Sequence, residues 1–233
     1  KFRVLCLHGY TQNAQKFRDR TGPFRRALKR SLDLVYITAP IQATEFQDDE
    51  PAPEEAGAGE PEISSAAWWN RKDGRVWQEI QQSTRYIHRV MAEQGPFDAV
   101  MGFSQGSGMA AILAALIQAA HSAEDQIDGI EDQELKALVR ELKDVPALKF
   151  AIMFAGFYPD LPQFDELVGR TGKVAVPSLH LVGEKDAIVP MDRGRRLAEE
   201  AFVGAQVMVH EGGHFVPCNA AWRKKYQAFL EEL

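Results

Sequence analysis

Short apolar runs alternate with amphipathic ones along most of this chain. Residues 2–7 (FRVLCL), 32–37 (LDLVYI), 97–103 (FDAVMGF), 150–154 (FAIMF), 178–182 (SLHLV) and 206–210 (QVMVH) are β-rich runs of strand length. Between them, apolar residues recur at helical spacing. Residues 17–30 carry Phe17, Phe24, Ala27 and Leu28 among many basic residues, which predicts a surface helix. Residues 77–91 carry Trp77, Ile80, Thr84, Ile87 and Met91 and are stopped by Gly95-Pro96. Further helices are expected over 109–117, within 121–144, and near 193–202 and 220–233. Strand and helix in alternation predict a mostly parallel sheet of about six strands, with right-handed crossovers and helices on both faces. The loops after the strands then gather at one edge, where open α/β sheets keep their sites.

The pattern fails in two places. From residue 41 to 75 no period holds, and 45–62 is rich in Pro, Gly, Ala and acid, a composition that cannot bury enough apolar area to offset its ordering entropy. It is expected to be a mobile insertion. Trp68-Trp69, just after it, must find cover, either as a cap on the core or as the wall of a pocket for an apolar substrate. The second break, 121–144, is acidic, with Leu135, Leu138, Val139 and Leu142 marking an amphipathic helix. It reads as a solvated excursion packed on one side or, in the sharper version, as a lid. One domain over residues 1–233, with these two insertions, is the expectation for 233 residues without an internal repeat.

Charge changes this picture little. The formal charge is −6, and removing the eight acids of 45–62 leaves the remainder at +2. Such a balance predicts neither a nucleic-acid stripe nor a polybasic membrane patch. The longest uninterrupted apolar run, 109–117, is far short of the roughly 18 residues that span a bilayer, and no charged-then-apolar leader opens the chain. Two cysteines, Cys6 in an apolar strand and Cys218 near the C-terminus, make no disulfide framework and fit a reducing, cytoplasmic setting.

The chemistry starts at Gly102-Phe103-Ser104-Gln105-Gly106, which joins the third strand to the Ala/Leu helix. A serine between glycines at a sharp strand-to-helix turn is a nucleophile elbow: the strained turn leaves room only for glycine neighbours and lifts the hydroxyl clear of the sheet. The Gln105 amide, at a helix N-terminus, then faces any oxyanion formed beside Ser104. A serine hydroxyl needs a base, and the base needs a carboxylate to fix its tautomer. In α/β-hydrolase order both follow the nucleophile in loops after later strands. An α/β-hydrolase sheet of strand order 2-1-3-4-5-6 is therefore expected. Gly183-Glu184-Lys185-Asp186 offers the acid, and Asp186 is preferred because Glu184 lies closer to the strand. His210-Glu211-Gly212-Gly213-His214 offers the base, and His214 is preferred because His210 is still in strand register. The same five residues fit the zinc pattern H-E-x-x-H, but that pattern needs a helix, and two glycines would cost a helix about 1 kcal/mol each. No metal is expected. The second oxyanion donor is assigned to the backbone N–H of Tyr10, with Thr11 next, in the loop after the first strand, and His8 is read as a group that orders this loop.

Leu7-His8-Gly9-Tyr10, Trp68-Trp69, Gly95-Pro96-Phe97-Asp98, the serine elbow, Phe154-Ala155-Gly156-Phe157, Gly183-Glu184-Lys185-Asp186 and Gly212-Gly213-His214-Phe215-Val216-Pro217 together resemble the FSH-type family of small serine hydrolases. These are eukaryotic α/β-hydrolases, abundant in fungi. They include a human esterase, and some fungal members release polyketides as thioesterases. The resemblance runs from about residue 2 to 233 and departs at Ser107-Gly108, where relatives tend to have alanines. It implies a Ser104, Asp186, His214 triad and hydrolysis of esters or thioesters through an acyl-enzyme, without a cofactor. Trp68, Trp69, Phe157, Tyr158, Ile188, Val189 and Phe215 are candidate walls of a pocket for an apolar acyl group. The expected partner is a small-molecule acyl ester or thioester. The competing readings are a receptor module that keeps the fold with little turnover, and an acyltransferase in which a second substrate replaces water.

Overall fold

The computed structural model describes residues 1–44, 65–71 and 74–233. The strands among them are β1 (Phe2–Leu7), β2 (Leu32–Ile37), β3 (Ile41–Gln42), β4 (Ala66–Ala67), β5 (Ala99–Phe103), β6 (Phe150–Phe154), β7 (Ser178–Gly183) and β8 (Gln206–His210). Six of these make one sheet, β2-β1-β5-β6-β7-β8, in which every pairing is parallel. This is the α/β-hydrolase order expected from the sequence. The pair β3 and β4 was not anticipated. These two-residue strands form an antiparallel ladder, Ile41 opposite Ala67, inside the stretch where periodicity fails.

The period of two in the apolar strands divides the core. Leu5 and Leu7 of β1, Val100 of β5, and Ala151 and Met153 of β6 join one apolar cluster. Val4, Cys6, Ala99, Met101, Phe103, Phe150, Ile152 and Phe154 join another. Successive side chains leave a strand on opposite faces, so strands buried on both faces read as continuous apolar runs. The second cluster is closed by Phe17 of α1 (Ala14–Arg20), Phe24 of α2 (Gly22–Ala27) and Trp222, Tyr226 and Phe229 of α9 (Ala220–Glu231). The first is closed by α3 (Val76–Gln94), α4 (Gln105–Ala120), α6 (Gln133–Glu141), α7 (Pro162–Thr171) and α8 (Met191–Ala201). Every residue of α4 except Gln118 is buried, which is why this helix is apolar all round. No helix among the described residues is long and apolar enough to cross a membrane.

The excursion 121–144 holds two short helices, α5 (Glu124–Asp128) and α6. Leu135, Leu138, Val139 and Leu142 are buried in the cluster that α4 shares, while Gln81 and Arg85 of α3 bond Glu134 and Glu141. The segment is docked on the flank of α3 and α4 and does not lie over the serine as a lid would. The acidic insertion 45–62 lies outside the described residues.

One side chain ties the irregular connection to the elbow. The Gln105 side-chain amide accepts from Trp68 N at 3.0 Å and donates to Trp69 O at 2.7 Å, spanning the Trp68-Trp69 dipeptide that follows β4. Trp68, fully buried, donates from its indole to His8 O at 2.8 Å, and its own carbonyl accepts from Ser83 of α3 at 2.7 Å. His8 closes the network. Its Nε2 accepts from Ala39 N at 2.9 Å, so Nδ1 carries the proton and donates to Gly9 O at 2.7 Å.

Two outcomes follow from this packing. Gln105→Leu leaves a buried N–H and a buried carbonyl unpaired, and is expected to lower the unfolding free energy by about 3 kcal/mol in urea titration. Burial holds His8 down to about 4 and His180, inside β7, to about 3. Both are neutral in the folded protein and take a proton near the ordinary value only when unfolded, so stability present above about pH 6.5 is lost as the pH falls toward those values. The urea midpoint should drop between pH 6.5 and 5 by the equivalent of up to roughly 2 kcal/mol per histidine, and His180→Leu should flatten the drop.

Candidate active site

Ser104 stands between β5 and α4 with φ +53° and ψ −117°. A non-glycine residue rarely adopts this left-handed backbone, which stores about 1–3 kcal/mol and survives only where its surroundings over-determine it. They do so here. A side chain at Gly102 would overlap the Gly106 carbonyl, and one at Gly106 would overlap the carbonyl oxygens of Leu7 and His8. Both glycines are required because the elbow crosses the end of β1 in backbone contact. Phe154 O of β6 accepts from Ser104 N and from the Ser107 hydroxyl, each at 2.9 Å, so Ser107 braces the turn from behind.

Asp186 lies on the turn after β7, where its N–H returns to Gly183 O. Its side chain is wholly buried. One carboxylate oxygen accepts from the backbone N–H groups of Ile188 (2.9 Å) and Val189 (2.8 Å), and the other lies 2.7 Å from His214 Nδ1. Glu184, by contrast, is exposed. The loops after β7 and β8 are joined by Glu184 N to His210 O (2.8 Å) and Lys185 N to Gly212 O (3.0 Å), which holds acid and imidazole in one frame. The His214 ring packs on Phe103, the residue before the serine, at 4.8 Å between centroids.

His210 is turned away. It packs on Phe215 and Trp222, and burial lowers its pKa. Residues 206–210 are strand and 211–215 a run of bends, so His210 and His214 do not share the helix face on which the zinc pattern depends.

Ser104, Gln105, Tyr10, Thr11 and His214 all line one cavity of about 790 Å³. Gln105 is the first residue of α4, so its backbone N–H has no intrahelical acceptor. Thr11, at φ +59°, is a second left-handed residue on the same cavity. The Tyr10 hydroxyl lies 2.7 Å from Thr44 O and 3.0 Å from Asn70 Oδ1, which fixes the outer end of the loop after β1.

Of the expected walls, Phe157, Ile188 and Val189 line the cavity together with Phe103. Trp68, Trp69, Tyr158 and Phe215 do not. Trp68 is spent in the network beneath β4, and Trp69 packs edge-on behind Phe157 at 6.3 Å. The Tyr158 hydroxyl donates to Asp165 at 2.7 Å, under Arg196. Phe215 is half exposed over His210, on a separate cleft. The rest of the lining departs from a purely apolar pocket: Gln12, Lys16, Arg20, Arg71 and Arg193 were not singled out by sequence reasoning. Lys16 and Arg20 are four apart on α1 and so share a face, the one signal that could have marked them.

The comparisons agree with this geometry. The chain matches the family described as Serine hydrolase (FSH1) over residues 1–226. It is 30% identical over 241 residues to "Esterase OVCA2" of Danio rerio, across 98% of this chain and 96% of that protein. It is also 30% identical over 240 residues to "Esterase OVCA2" of Homo sapiens, across 99% and 96%. Among solved structures, Zea mays acyl-protein thioesterase 2 superposes with a TM-score of 0.60 at 16% identity over 99% of this chain and 94% of that one, a likeness of fold. With a family match spanning nearly all its length, the chain belongs to the FSH1 family of serine hydrolases.

Proposed function

We infer that this protein hydrolyses carboxylic esters or thioesters through an acyl-enzyme on Ser104. The observation that carries the reading is the bond from His214 Nδ1 to a wholly buried Asp186, on a cavity that His214 shares with a left-handed serine at a helix N-terminus. With Nδ1 engaged by Asp186, Nε2 is the nitrogen left to take the Ser104 proton as the hydroxyl attacks the acyl carbon. Asp186 holds that tautomer and stabilises the imidazolium, which then gives its proton to the leaving alcohol or thiol. Water enters by the same route and releases the acid.

The oxyanion is assigned to the backbone N–H groups of Gln105 and Tyr10. A single such donor is typically worth about 3 kcal/mol in the transition state. His8 is a positioning residue in this scheme, because its bonds to Gly9 and Ala39 hold the loop that presents Tyr10. Phe157, Ile188 and Val189 are the surface against which an acyl chain would lie. The free thiols of Cys6 and Cys218 support a reducing compartment, the cytoplasm, as the setting.

Two substitutions separate chemistry from strain. Ser104→Ala should reduce p-nitrophenyl ester turnover by roughly 10⁴-fold or more while leaving the thermal midpoint nearly unchanged. Ser104→Gly should abolish turnover equally and raise the unfolding free energy by about 1 kcal/mol, because glycine adopts φ +53° without strain. Turnover retained in both variants would refute the assignment.

A further inference from the structure

Cations line the serine's cavity: Lys16 and Arg20 from α1, Arg71 from the connection after β4, and Arg193 from α8, with no carboxylate lining it among the described residues. Concave, low-dielectric walls of one sign focus the field and concentrate counter-charge inside. Two of these groups share one aromatic neighbour. The guanidinium carbons of Arg71 and Arg193 lie 5.6 and 5.0 Å from the centroid of the same Phe157 ring, which itself faces the cavity. Arg193 is only loosely neutralised: the nearest carboxylate oxygen, on Asp160, is 3.9 Å away, and Asp160 is bound more closely, at 2.6 Å, by Arg196.

An apolar acyl chain would find no use for these groups. Planar guanidinium forks match carboxylate and phosphate oxygens, and stacking on an aromatic ring fixes their orientation before a ligand arrives.

We propose that the Arg71–Phe157–Arg193 wall is an anion subsite, and that the preferred substrates are esters or thioesters carrying a carboxylate or phosphate group as well as the scissile bond. This rests on the hydrolase reading above and narrows it to a substrate class. The anionic group can belong to the acyl arm or to the leaving group, and the two sources are separable.

The test compares kcat/KM within two matched pairs. Mono-p-nitrophenyl suberate against p-nitrophenyl octanoate places the charge on the acyl arm. Octanoyl-coenzyme A against the octanoyl thioester of N-acetylcysteamine places it on the leaving group. In at least one pair the charged-to-neutral ratio should fall roughly tenfold in Arg71→Gln and again in Arg71→Gln with Arg193→Gln, since a hydrogen bond to a charged group is worth about one decade or more. Arg71→Lys should retain part of the ratio. Salt of about 1 M, where the screening length is ~3 Å, should lower the wild-type ratio toward that of the double variant.

Ratios unchanged by the arginine substitutions in both pairs, with neutral esters still turned over, would overturn the subsite and leave the hydrolase reading standing. No turnover of any of the four substrates by the wild-type protein would overturn both.

Discussion

The structure depends on one close approach, where the backbone of Gly106 presses on the carbonyls that end β1. Because these chains touch without a side chain between them, the turn from β5 into α4 is too tight for an ordinary conformation, and Ser104 is held at positive φ. The held strain sets the position of the hydroxyl and exposes the first N–H of α4 on the same side. The rest of the fold serves that contact. The buried helix α4 anchors one end, the Phe154 carbonyl anchors the other, and the parallel sheet brings the loops after β7 and β8 to the same rim.

Gln105 connects this constraint to the remainder of the site. Its backbone stands at the helix start, while its side chain bonds the N–H of Trp68 and the carbonyl of Trp69, and the Trp68 indole in turn bonds the carbonyl of His8. The serine turn, the loop after β1 and the irregular connection from β4 are therefore one hydrogen-bonded unit. Buried networks of this kind stabilise only when every member is satisfied, so a change in any part is felt across the unit. The same unit carries Arg71, two residues beyond Trp69, to the cavity wall.

Much of this was legible in the residues. Apolar runs of strand length interleaved with helical periods were enough to predict a parallel sheet, because strands covered on both faces read as nearly continuous apolar runs, and the strand order came from the hydrolase pattern around Ser104. Ser104, Asp186 and His214 could be selected by local context: glycines around the first, and distance from the strand end for the others. The β3–β4 ladder was invisible, since two residues carry no period. Trp68 and Trp69 looked like pocket walls because aromatic residues suit a core margin and a binding surface equally well. What decided between the two was Gln105, a partner far away in sequence. The cavity's cations were hidden for a different reason: lysines and arginines on a helix read as a solvated face, and only the fold shows that the faces of α1 and α8 meet Phe157 around one opening.

Among the described serines, Ser104 is the one held at positive φ, and the proposed mechanism makes it the nucleophile that His214 activates. Mass-spectrometric mapping of the folded protein after reaction with a fluorophosphonate measures this directly. A single adduct on Ser104 is expected, lost when the protein is first unfolded or when His214 is replaced by alanine. An adduct on another residue with Ser104 unmodified, or labelling of Ser104 that persists without His214, would contradict it.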